Sequence, residues 1–205
     1  MEPTGLRERK KARTRRHIAD AAARLFAEHG YENVAVSDVA RAAEVAEQTV
    51  YNHFGTKEQL VTDRDEQIRD RLCALIRARP AGISAAAAVR DFILRSVAAI
   101  PDVSAEQWRG ELGHLTRISP TVRRLALEML DRQAQALAEA IGETSNTPPQ
   151  IARLQGIALA GVFRIIIDDT GRRTAEGQSQ EQIADELYPL VGTMLDELDG
   201  WFAES

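Results

Sequence analysis

The stretch from Ser37 to Phe54, SDVARAAEVAEQTVYNHF, constrains the chain more than any other, because its apolar residues fit two short helices meeting at a tight corner. Ser37 is placed as an N-cap, and Val39, Ala40 and Ala43 recur at the offsets that give a short helix one buried side. Ala40 is small, as helices crossing steeply over a turn of about three or four residues require. Val45 plugs the corner, and Val50 and Phe54 line the inner face of the second helix. Glu47, Gln48, Thr49, Tyr51, Asn52 and His53 are left facing outward or sideways. A short helix with that polar surface suits a DNA major groove, where each base pair offers a distinct pattern of donors and acceptors.

The flanks extend the pattern. Residues 7–16 hold seven Lys or Arg against one Glu, and Ile18, Ala22, Leu25 and Phe26 follow as the apolar stripe of an amphipathic helix. Gly30 is placed to stop that helix, with Tyr31 folding back on its last turn. Past the motif, Thr56, Lys57, Glu58 and Gln59 read as a capping box, which sets the Lys57 ammonium at a helix N-terminus. A cation is unfavourable there, so a phosphate is expected as its partner.

Residues 14–58, from TRRHIADAAARLFAEHGY through VYNHFGTKE, resemble the N-terminal domain of the TetR family of one-component transcriptional repressors. The resemblance covers under a quarter of the chain but requires several features at fixed distances. It implies a homodimer with an N-terminal DNA-binding domain and a helical C-terminal domain holding an inducer pocket and the dimer interface. By position it assigns Thr14, Arg15, Ser37, Thr49, Tyr51, His53 and Lys57 to phosphate contact or support, and Glu47, Gln48 and Asn52 to base reading. The chain departs from the family at three places. Glu44 stands where Gly is usual at the corner, which requires a left-handed backbone at a cost of about 1 kcal/mol. Ala46 replaces a capping Ser, and Glu47 sets a carboxylate towards DNA, where it accepts from a cytosine amino group or repels phosphate.

Composition agrees with an all-α chain: 205 residues with 44% hydrophobic content suffice for one or two domains, and 5% aromatic content with abundant Ala and Leu favours helices. The net charge of −5 is unevenly divided. Residues 1–57 carry ten Lys and Arg against eight Asp and Glu, leaving sixteen against twenty-three in residues 58–205. A basic head on an acidic body keeps the body off the phosphates. The boundary is therefore set at 57, with residues 1–57 as the helix-turn-helix domain and its arm, and 58–205 as the ligand-binding and dimerisation domain. Cys73 is the single cysteine and excludes an intrachain disulfide. No apolar run approaching the ~18 residues of a membrane span is read, and the expected address is the bacterial cytoplasm.

About nine helices are expected in all. In the body they run over about 57–78, 84–100, 105–117, 119–141, 150–169 and 180–202, with Ser84 and Ser119 as caps and 170–174 as a loose connection. Dimerisation is assigned to the last two, through Ile157, Gly161, Leu187, Leu190, Met194 and Leu198, although the same residues serve equally well as intramolecular core. The inducer pocket is drawn from the middle helices: Leu72, Phe92, Trp108, Leu112, His114, Leu115, Met129 and Phe163, with Arg95, Glu111 and Arg117 as polar anchors. Gly110 and Gly113 would make the helix bearing Trp108 and His114 easy to move. The four His and Cys73 lack metal-ligand spacing, Asp168 and Asp169 are read as a surface helix end, and no catalytic motif or cofactor is found. The expected function is a ligand-responsive repressor on an inverted-repeat operator, released by a mostly apolar small molecule. The alternative is an architectural DNA-binding protein with no inducer.

Overall fold

The computed structural model describes residues 4–103 and 112–203, and among them the chain is all-helical. Among the described residues nine α-helices follow one another: α1 (Thr4–His29), α2 (Val36–Ala42), α3 (Glu47–His53), α4 (Gln59–Arg77), α5 (Ala85–Ala98), α6 (Leu112–Ile118), α7 (Pro120–Thr144), α8 (Pro149–Ala175) and α9 (Gln180–Ala203). Short 3-10 turns span Tyr31–Asn33 and Ile100–Asp102.

The basic arm is not a separate strand of chain. It forms the first turns of α1, so Arg9, Lys10, Lys11, Arg13 and Arg16 are exposed along a continuous helix. Gly30 ends that helix with φ 79°, a left-handed value that costs glycine nothing, and Tyr31 folds back against Phe26 with ring centroids 5.1 Å apart. The N-cap of α2 is Ala35 rather than Ser37: the Asp38 carboxylate accepts from the Ala35 backbone N–H at 2.9 Å, and Ser37 sits half-buried in the first turn. At the corner Glu44 takes φ 50°, the strained value expected of a non-glycine residue there. Ala46 caps α3 without any side-chain hydrogen bond.

Two apolar clusters hold the molecule. The first is built from the head, with Ile18, Phe26, Val39, Val50 and Phe54, but it also takes in Leu60 of α4 and Leu115, Val122 and Leu125 of α6 and α7. Residues on both sides of position 57 therefore share this core. The second cluster joins α4, α5, α7, α8 and α9 through Leu72, Ile93, Leu137, Leu159, Leu187 and Leu195. Ser84 and Ser119 cap their helices as expected, accepting from Ala87 at 3.0 Å and Val122 at 3.1 Å.

Residues 170–174, read as a loose connection, are helical. Thr170 donates to the Ile166 carbonyl at 2.8 Å, Thr174 donates to Thr170, and Asp169 lies inside the helix, bonded to Arg172 at 2.7 Å and Arg173 at 3.1 Å. Burial opposes the charge on Asp169, yet those two guanidiniums outweigh it and hold the carboxyl below its usual range. Gly171 is there for contact rather than for a turn. A Cβ on it would lie 2.0 Å from the Gly113 carbonyl oxygen, so α6 and α8 touch backbone to backbone. Gly113 thus pins α6 instead of loosening it. In addition, α8 is long and apolar enough by length and composition to cross a membrane, contrary to the sequence reading of no such run. Its exposed face explains the surplus: Leu154, Ile157, Gly161 and Ile165 recur at intervals of 3, 4 and 4 along one side.

Candidate nucleic-acid interface and internal cavity

On α3, Val50 is buried and anchors the helix to the head, which turns Glu47, Gln48, Tyr51 and Asn52 outward. Tyr51 is 43% exposed although it is aromatic. Gln48 donates through Nε2 to Asn52 Oδ1 at 3.2 Å, one helical turn away, so the two amides are pre-aligned along the exposed face. Thr49 and His53 are half-buried at its edges. The His53 Nδ1 is buried with no hydrogen-bond partner among the described residues, and burial first, then Arg15 and Lys11, hold its pKa below the ordinary value. At neutral pH His53 is an uncharged hydrogen-bonding group.

The residues expected to grip phosphate divide into two sets. Thr14 donates to the Lys10 carbonyl at 3.1 Å within α1. Arg15 turns inward, its guanidinium 4.4 Å over the Phe54 ring and donating to the His53 carbonyl. It fixes the C-terminal end of α3 against α1. Lys57 behaves similarly: Nζ donates to the Tyr31 carbonyl at 2.6 Å and stands 4.2 Å from the Tyr31 ring centroid. Burial holds its pKa below the usual lysine value, against the opposing pull of Glu32 and Glu58. In this structure Lys57 is a strut from the start of α4 to the end of α1. The exposed positive charge is supplied instead by the outward face of α1.

A second strut joins head to body. The Glu32 carboxylate accepts from Ser119 Oγ at 2.6 Å, and the same Ser119 oxygen caps α7. The Ser119 bond, ahead of smaller effects, holds Glu32 below its usual carboxylate pKa.

The head and body also enclose a cavity of about 350 Å³. Its wall draws on α1 (Ala19, Asp20, Ala23, Phe26), α4 (Leu60, Val61, Asp65, Ile68), α5, α6, α7 and α8. Of the expected pocket residues, Leu112, Leu115, Met129 and Phe163 belong to this wall. Leu72 is packed in the body core, Phe92 lies against that core, Arg95 and Arg117 face solvent, and half-buried His114 is outside the wall. Trp108 and Glu111 lie outside the described residues. Sequence reading missed Asp65 and Gln133. Each interrupts an apolar stripe, Val61–Asp65–Ile68–Leu72 in one case and Met129–Gln133–Leu137 in the other, and that interruption was the available signal.

On the final pair of helices, Ile157 is 50% exposed and Leu190 is also exposed, whereas Leu187 is fully buried in the body core. Met194 and Leu198 pack half-buried against that core, and Gly161 faces open space. The outward apolar face is therefore Leu154, Ile157 and Ile165 of α8 with Tyr188 and Leu190 of α9.

Residues 18–63 match the family model for bacterial regulatory proteins of the tetR family. A relative along most of the chain is the HTH-type transcriptional regulator TcmR of Streptomyces glaucescens, 27% identical over 164 residues that cover 78% of this chain and 68% of that protein. Among solved structures, NalD of Pseudomonas aeruginosa, secondary repressor of the MexAB-OprM multidrug efflux pump, matches with a TM-score of 0.54 and 20% identity over 88% of this chain and 96% of its own. The fatty acid degradation regulator FadR of Bacillus halodurans gives a TM-score of 0.54 and 20% identity over 89% and 94%. These two likenesses concern the fold. With the helix-turn-helix geometry and the match across it, the chain carries the helix-turn-helix region of the TetR family of transcriptional regulators, and it is similar to a transcriptional regulator along most of its length.

Proposed function

We propose that the protein is a ligand-responsive repressor that binds an inverted-repeat operator as a homodimer. Glu47, Gln48 and Asn52 read bases, Tyr51 and Thr49 contact the backbone, and the exposed cations of α1 supply sequence-independent attraction. Arg15 holds the C-terminal end of α3 in place from behind, and Lys57 ties the start of α4 to the end of α1. Two copies join through the apolar faces of α8 and α9, so that their α3 helices meet major grooves about 34 Å apart.

One observation carries the regulatory part: the cavity wall is shared between the DNA-binding head and the body. Leu115 of α6 lines that cavity and also belongs to the head's core, while Gly113 fixes α6 to α8. An occupant that presses α6 and α1 apart changes the angle of the head relative to the dimer face. It does so only to the extent that it binds one arrangement better than the other.

The test is selection of bound duplexes from a random pool by the full chain. A ligand-responsive repressor returns a two-fold-symmetric sequence, bound by two protomers or a multiple of two, that withstands excess bulk DNA. An architectural protein returns no consensus and is stripped by the competitor.

A further inference from the structure

The described wall of the cavity contains two carboxylates, Asp20 on α1 and Asp65 on α4, and no Lys, Arg or His. Its other polar side chains are Ser96, Gln133 and Thr170. Thr170 is already committed to the Ile166 carbonyl. Gln133 and Asp65 are not comparably served. Gln133 is 1% exposed and its Nε2 donates to nothing among the described residues. Asp65 is 8% exposed, and no hydrogen bond or ion pair reaches its carboxylate among the described residues. Arg69 and Arg132 act on it only through their fields. Burial pushes its pKa up to about 6, which leaves it mostly charged at neutral pH.

A buried amide donor and a buried carboxylate left open in one apolar wall are costly. Both costs are relieved by an occupant offering a charged donor and an acceptor. An anion would instead face two carboxylates with no cation among the described residues of the wall to receive it. We propose that the cavity takes an apolar molecule bearing a protonated basic nitrogen set against Asp65, with an acceptor oxygen towards Gln133, and that it rejects carboxylates of the same shape. The volume suits a compact ligand at the lower end of small-molecule sites, roughly 300–1,000 Å³. This inference rests on the reading of the cavity as the inducer site.

The experiment is calorimetric titration of the full chain near neutral pH with phenylbutylamine, phenylbutanol and phenylbutanoate, which share one apolar body and differ in the head group. The amine should bind roughly tenfold or more tighter than the alcohol, as a hydrogen bond to a charged group implies, and the carboxylate weakest. Asp65→Asn should bring amine and alcohol level, while Asp70→Asn, an exposed carboxylate on the same helix and outside the wall, should leave the order unchanged. An alcohol or carboxylate that binds as well as the amine overturns the proposal, as does an amine preference that survives Asp65→Asn. If none of the three binds, the proposal and the cavity's role as inducer site fall together. If the amine binds by this pattern and operator DNA stays bound with every ligand tried, the cavity chemistry stands and the regulatory reading falls.

Discussion

Replacing Asp65 by Asn should stabilise the protein at neutral pH, and the amount follows from its surroundings. Burial raises the folded-state pKa of Asp65 from 3.8 to about 6 in spite of Arg69 and Arg132. The shift is about two units, and each unit is worth ~1.36 kcal/mol. Because the folded value lies above the unfolded one, folding favours the neutral carboxyl. That contribution is complete below the unfolded pKa and is lost as pH rises through about 6. Asparagine has nearly the same shape and never ionises, so it keeps the contribution at all pH values. The variant should gain about 3 kcal/mol over the parent near pH 7.5, and about half of that near pH 5. Urea unfolding at both pH values measures this, with protomer concentration held equal because any dimer couples association to stability. A variant no more stable than the parent near pH 7.5, or a gain that does not shrink on acidification, would show that Asp65 is not a buried, unpaired carboxylate.

Two further substitutions test the packing. Gly171→Ala drives a Cβ into the Gly113 backbone and should cost roughly 1–3 kcal/mol, whereas Gly142→Ala, inside α7 with nothing within 4 Å, should stabilise by roughly 0.5–1 kcal/mol. Thermal midpoints that move the same way for both would discredit the α6–α8 contact. Leu154→Glu with Ile157→Glu puts charge on the exposed face of α8 and should give a monomer in sedimentation, with operator affinity falling towards that of one head; a variant that still sediments as a dimer would move the interface elsewhere.

The helix-turn-helix was legible because its contacts are local. Val39, Ala40, Val45, Val50 and Phe54 lie within sixteen residues, so spacing alone fixes which sides are buried. The cavity was not, since it is a gap among six helices whose separation no short window records. Its two open polar groups did leave a trace as Asp65 and Gln133 on apolar stripes. Residues 170–174 misled for a related reason: Gly171 reads as a breaker by propensity, yet here the absence of a side chain allows two backbones to meet, and tertiary packing overrides propensity. Lys57 was expected to await a phosphate because it lies at the start of α4. The aromatic pair Phe26 and Tyr31 gives it a nearer partner, which sequence position alone does not reveal.

The central claim is that the exposed amides of α3 read base edges in a major groove. The most direct measurement is the affinity of Asn52→Ala for a selected operator and for random duplex of equal length at one salt concentration. The account predicts a loss of roughly 1–3 kcal/mol on the operator, confined to one base-pair position in each half-site, with little change on random DNA. An equal loss on both duplexes, or none on the operator, would contradict it.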